Sequence, residues 1–292
     1  MENQIKLGKN CIIGENFKCG ENVVIGNNCI IEDNVVLGDN VYIDNNCIIR
    51  NDVSVGGDSA IGANCIIGEY QMDFYRDHLY HKHELFIGKN AIIRSGCILY
   101  GGSRIGEHFQ AGHNVTVREN ALIGDHVSAG TLTDIQGHCR IGNYVRMHSS
   151  VHVGTSSVID DCCWIYPYVV FTNDPTPPSD TERGVHVHAF AVVATSSVVL
   201  PGIEIQSDSL IGAGTVVNRN VDKYQLVVGN PGKVKGDIRQ IKNRETGEPY
   251  YPWRYHFDRN MPWKDYGFDN WFSTLDNEMK AMLLGADIKQ NT

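Results

Sequence analysis

From Ile87 onward the chain repeats itself every six residues. Ile87, Ile93, Leu99, Ile105, Ala111, Val117 and Ile123 open successive hexads, and the frame runs unbroken to Phe171. Glycine often takes the second place, as at Gly88, Gly106, Gly112 and Gly124; a small or apolar residue takes the fifth, as at Cys97, Val115 and Val127. No unit of six can bury its own apolar residues, so units must stack on one another. A fixed short period of this kind marks a parallel β-helix. Leu7 to Ile67 keep the same frame, and it returns from Val187 to Val217. The expected architecture is an all-β, three-sided parallel β-helix over 1–236, followed by a C-terminal extension over 237–292.

The frame breaks twice, at about 70–86 and at 173–186. The first break is dense in aromatics, histidines and carboxylates; the second is rich in proline. A solenoid accepts insertions only at its corners, and such loops often carry function. Counting faces in rotation sends both loops from the same corner. Within the extension, Trp271, Phe272, Leu275, Met279, Met282 and Leu283 recur at helical spacing with Asp269 as a candidate cap. This predicts a short amphipathic helix that caps the open end of the coil or packs on a neighbouring subunit.

Nine cysteines raise the question of metal or redox chemistry, and the period answers it. Cys11, Cys29, Cys47 and Cys65 are each 18 residues apart, one full coil of a three-sided helix, all at the fifth place. They are expected to stack inward as small core residues, as are Cys97, Cys139 and Cys163 at the same place. A net charge of −9 argues against nucleic acid or an anionic membrane as the main partner. No apolar leader precedes the repeat and no run of ~18 apolar residues occurs, so the expectation is a cytoplasmic protein without a membrane span.

Beyond the fold, the hexads resemble those of the left-handed parallel β-helix acyltransferases. The ending Val228-Gly229-Asn230-Pro231-Gly232-Lys233-Val234 is similar to the Gly-Asn-Pro-Ala-Lys signature after the last coil in that family, with Gly232 where alanine is usual. The run Phe171-Thr172-Asn173-Asp174 resembles a loop of bacterial N-acetyltransferases that act on nucleotide-linked amino sugars. The resemblance implies a left-handed coil, a homotrimer, and acetyl-CoA or a related acyl-CoA lying between adjacent β-helices, with no metal. It further implies N-acetylation of a dTDP- or UDP-linked amino sugar, a step of surface glycan synthesis.

Transfer of an acyl group from a thioester to an amine needs an unprotonated amine, donors for the oxyanion, and alignment of both partners. His113 is the first candidate, as general base or amine partner. It follows Gly112 at an outward turn, beside the small Ala111 and Ala129; the plainer reading is a turn histidine bonded to backbone. Asp77 and Glu84 of the first loop are the acids to which the resemblance assigns the holding of the amine, against a reading as solvated loop charge. Phe74, Tyr75 and Tyr80 could stack on a base, Arg76 could meet a phosphate, and His148 could face the same groove as His113. Cofactor contacts are expected at Asn173, Ala194, Thr195, Lys233 and Lys235, the lysines neutralising CoA phosphates. Asp134 and His152 share the sixth place one coil apart and read as a structural pair. His108, His126 and Tyr144 form an outward column.

Three other readings stay open, one of them a non-catalytic β-helix that scaffolds or binds sugar. His108 and His113 are five apart, a spacing that invites comparison with γ-class carbonic anhydrases and their three-histidine zinc site. The acyl acceptor could instead be a hydroxyl or another amine.

Overall fold

The computed structural model describes residues 5–284; the outermost stretches of both expected segments, 1–4 and 285–292, lie outside the described residues. The chain winds as the left-handed parallel β-helix that the resemblance implies, with three sheets of 13, 11 and 10 strands, here A, B and C. Most strands are two residues long, and each hexad supplies one. The register stacks first place on first place: Ala111 lies on Ala129 in sheet A, Val117 on Ile135 in B, and Ile123 on Ile141 in C. From Val23 onward nearly all first- and fifth-place residues are buried and form one continuous core, whereas Leu7 and Ile13 of the first coil stay exposed.

The fifth-place thiols behave as expected. Cys29, Cys47, Cys65 and Cys97 are fully buried, and each donates to a backbone carbonyl of the next coil at 3.1–3.3 Å. The fourth place turns each corner in left-handed backbone, with φ near 55–60° at Asn10, Asn28, Asn46 and His108. Asparagine suits that conformation, and its amides pair along the corner, as from Asn10 to Asn28 and from Asn28 to Asn46, both at 3.1 Å.

Both loops leave the corner between sheets B and C. The first runs from Glu69, at the end of a B strand, to Leu85 at the start of a C strand; the second separates the B strand Val170–Phe171 from the C strand His186–Val187. The first holds one helix, α1 (Met72–Asp77).

The end of the coil is closed by a hairpin. Gln225–Val228 continues sheet A in parallel and pairs antiparallel with Lys233–Asp237. The extension then lies along the flank of its own coil, and does not cap the open end as expected. Trp253, Met261, Trp263, Phe268 and Leu283 pack on Cys162, Ala189, Phe190 and Val192 at the corner from C to A. The Trp253 indole donates to the Phe190 carbonyl at 2.9 Å. The helical stretch is two short helices, α2 (Phe268–Thr274) and α3 (Asn277–Leu284). Asp269 lies in the first turn of α2, whose N-cap is Gly267, so its expected capping role is corrected.

Candidate functional site

The candidate residues fall at two different corners of the chain. His113, His148, Ala194 and Thr195 occupy the corner from A to B. His113 is exposed just after the A strand Gln110–Ala111. Its N–H donates to Thr131 Oγ1 at 3.3 Å and its carbonyl accepts from Leu132 at 2.9 Å. Beside it, a Cβ on Gly112 would stand 2.4 Å from the Thr131 amide nitrogen, so only glycine lets the coils approach this closely.

Two coils on, His148 stacks on Tyr166 with ring centroids 4.8 Å apart. Burial lowers its pKa and so favours the neutral imidazole. A cavity of about 450 Å³ lies here, lined by Ser128, Gly130, Arg146 and His148, with Arg259 and Asn260 of the extension forming its far wall. The backbones of Ala194 and Thr195 continue this corner through coil-to-coil bonds of 2.9 and 2.8 Å.

The B-to-C corner carries the first loop, and an arginine of the coil beneath organises it. Arg50 bonds Glu32 at 2.8 Å and lies 4.4 Å from the centroid of the Tyr70 ring. Phe74 stacks on Tyr70 at 4.1 Å, Tyr75 donates its hydroxyl to Glu69 at 3.1 Å, and Tyr80 bonds Asp52. The ring of Phe74 is thus engaged in holding the loop on the coil, while Tyr75 and Arg76 stay exposed.

The acids of the loop are each paired locally. Asp77 meets His81 at 2.7 Å and Glu84 meets Lys82 at 2.8 Å. Asp73 meets His83 at 2.6 Å, a pair that sequence reasoning missed because the loop has no frame. The Leu79 amide and His81 hold the Asp77 carboxyl below the usual range, and the bond from Asp77 raises His81. Glu84, His83 and Arg104 line a cleft of about 630 Å³ over sheet C. Asn173 belongs to this same corner, its carbonyl accepting from the Arg183 amide at 2.8 Å. Lys233 and Lys235 are exposed on the closing hairpin.

Within one chain, therefore, sheet B separates His113 from Asp77 and Glu84. His108 and His113 are also separated, because His108 turns the corner from C to A and stacks on His126 at 4.3 Å. That five-residue spacing does not assemble a zinc site in one chain. His126 stacks in turn on Tyr144 at 4.6 Å, completing the column. Asp134 and His152 do pair, at 3.1 Å.

The comparisons with known proteins agree with this architecture. The family model "Bacterial transferase hexapeptide (six repeats)" matches residues 18–51. A putative acetyltransferase of Staphylococcus aureus (strain MRSA252) is 46% identical over 50 residues, 17% of this chain and 24% of that protein. The dTDP-3-amino-3,6-dideoxy-alpha-D-galactopyranose 3-N-acetyltransferase of Aneurinibacillus thermoaerophilus is 35% identical over 54 residues, 18% and 28% of the two chains. A serine acetyltransferase of Staphylococcus epidermidis is 32% identical over 116 residues, 38% and 54%. The chain thus spans between 24% and 54% of the length of these relatives.

Among solved structures, PerB from Caulobacter crescentus in complex with CoA and GDP-perosamine aligns with TM-score 0.33 and 22% identity over 62% of this chain and 71% of that one. The UDP-N-acetylglucosamine O-acyltransferase of Moraxella catarrhalis aligns with TM-score 0.32 and 20% identity over 80% and 72%. At these TM-scores nothing is carried over from either. The chain is built as a β-helix of hexapeptide repeats, and over part of its length it is similar to proteins named as acetyltransferases.

Among the described residues, no helix is long and apolar enough to cross a membrane.

Proposed function

We propose that this protein is an acyl-CoA-dependent N-acyltransferase that acetylates the amine of a dTDP- or UDP-linked amino sugar in the cytoplasm, for surface glycan synthesis. The observation that carries the reading is the agreement between the repeat and the relatives that share it. Those relatives are named as acetyltransferases, and one is named for a dTDP-linked amino sugar. The sugar nitrogen attacks the thioester carbonyl, the C–S bond breaks, and the thiolate of CoA leaves with the amine proton, directly or by way of His113. The proximity supplied by two bound partners does most of the catalytic work.

The working site lies between chains. A closed trimer built from one repeated heterologous contact sets the His113 corner of one chain against the loop corner of the next. In that groove His113 faces Asp77 and Glu84, which exchange His81 and Lys82 for the substrate amine. Phe74, Tyr75 and Tyr80 flank the base, Arg76 meets the diphosphate, and His148 closes the groove. Asn173, Ala194 and Thr195 follow the pantetheine arm, with Lys233 and Lys235 at the phosphates.

The test is subunit mixing. His113→Asn subunits and Asp77→Asn/Glu84→Gln subunits, each inactive alone, regain activity when refolded together, because some grooves then hold both wild-type corners. Failure of every mixture to recover activity, with both variants folded and trimeric, refutes the shared groove. The longer match to a serine acetyltransferase favours a second reading, a hydroxyl acceptor, so L-serine belongs in the same acceptor panel.

A further inference from the structure

Outside the groove residues, one cluster on sheet C has the makings of a site. Asp160 and His188 follow the C strands Val158–Ile159 and His186–Val187, one coil apart, and His186 lies in the second of them. The Asp160 carboxylate oxygen Oδ2 stands 3.0 Å from His186 Nε2 and 3.2 Å from His188 Nδ1. One ligand atom from each of the three residues lies within 4.8 Å of the other two. We propose that Asp160, His186 and His188 bind a divalent transition-metal ion of the zinc type, with a coordination position left open to water or a small anion.

Distance is the first support. Zinc ligands at about 2.0–2.1 Å in a tetrahedron stand about 3.3 Å from one another. The two carboxylate-to-imidazole separations, 3.0 and 3.2 Å, already match. Side-chain identity is the second: two imidazoles and one carboxylate are a familiar ligand set for zinc and its neighbours.

Ring placement is the third. The rings of His186 and His188 are stacked with centroids 3.8 Å apart, both against the same carboxylate oxygen of Asp160.

The far side of His188 gives the fourth. Among the described residues its buried Nε2 has no hydrogen-bond partner, and Glu204 Oε2 waits 3.9 Å away. With Nδ1 on a metal, Nε2 carries the proton, and a small shift of Glu204 forms the carboxylate–histidine–metal relay that orients metal-bound imidazoles.

The surroundings suit an open site. The cluster lines a cleft of about 660 Å³ between sheet C and α3, walled by Arg104, Arg140, Leu122 and Met282. Three protein ligands and a cleft on the fourth side are the pattern of a reactive zinc position, whereas structural sites close with four. The two arginines would draw an anion to the open place.

The test uses the full chain, stripped of metal with a chelator and dialysed. Cobalt(II) added as the probe is expected to bind at one ion per chain, with visible bands of four-coordinate intensity, and zinc to displace it. Asp160→Asn and His188→Gln should abolish the bands, and Glu204→Gln should weaken binding about 10- to 100-fold while leaving the ligands in place. Circular dichroism keeps misfolded variants out of the comparison, and Glu204→Gln, which alters no ligand, serves if either ligand variant fails to fold. Absence of stoichiometric uptake by the wild type overturns the proposal. So does uptake that survives both ligand substitutions, or that Glu204→Gln leaves unchanged when those variants do not fold.

Discussion

The joint between coil and extension includes a buried ion pair, and removing its anion has a consequence that can be worked out. Arg254 and Asp208 bond one another with side chains only 4% and 1% exposed. The guanidinium also lies 4.6 Å from the Phe190 ring centroid and 5.0 Å from that of Phe268. Among the described residues its Nε has no partner, so Asp208 is its main polar anchor. Asp208 has the left-handed backbone of a fourth-place corner residue, φ 57°. Asparagine tolerates that conformation, so Asp208→Asn removes charge with little added strain. Breaking a buried pair from one side costs ~3–5 kcal/mol, because a buried charge is left uncompensated. At ~1.4 kcal/mol per decade, the lower figure shifts the docking equilibrium of the extension about a hundredfold.

The cost should fall on docking and not on the coil, whose stability is built up locally from coil to coil. The four tryptophans make this measurable, since Trp164 is packed under the extension and Trp253, Trp263 and Trp271 belong to it. Urea unfolding followed by tryptophan fluorescence should shift to lower denaturant in Asp208→Asn, while the far-UV circular dichroism transition of the coil stays near its wild-type midpoint. Asp208→Asn/Arg254→Met, with both charges gone, should recover most of the loss. Coincident movement of the two transitions, or a change under ~1 kcal/mol in the fluorescence transition, refutes this reasoning.

Other expectations follow from the corners and the core. Leu132 holds left-handed backbone, φ 61°, at a place where asparagine is usual, and it is 58% exposed; Leu132→Asn should raise unfolding stability by ~1 kcal/mol in urea titration. A thiol reagent added to native protein should label Cys11 and Cys19, which are partly exposed, and reach the seven buried cysteines only after denaturation; fast labelling of Cys47 or Cys65 would contradict the inward stack. Burial places the His148 pKa in the fold below its unfolded value of ~6.5. The unfolded chain therefore takes up this proton first, and stability falls as pH drops below that value. His148→Phe should show a shallower loss than wild type between pH ~7.5 and ~5.5 in fluorescence-monitored urea midpoints.

The hexads made the fold legible because each apolar residue that faces inward is also the one that sets the register. Taken modulo three, the same count placed both loops at one corner. It also paired Asp134 with His152 across a rung and aligned His108, His126 and Tyr144 before any coordinates. Legibility stopped where the period stopped. Arg50 and Asp52, which pin the first loop, are unremarkable corner residues in the frame, and nothing within the loop points to them. The aromatics of the extension announce a packed segment but not its surface, since Phe190 and Cys162 look like ordinary corner residues until Trp253 and Trp263 cover them. Asp160, His186 and His188 escaped notice because the second loop breaks the 18-residue rhythm that would have aligned Asp160 with His188.

Acyl transfer is the activity to measure. The direct measurement is to incubate the wild-type chain with acetyl-CoA and a panel of dTDP- and UDP-linked amino sugars, following free thiol and product mass together. One amino sugar should gain one acetyl group with equal release of CoA, and the hydroxyl acceptors in the panel should not react. Absence of both acetyl transfer and acetyl-CoA binding by the folded protein would contradict the acyltransferase reading outright.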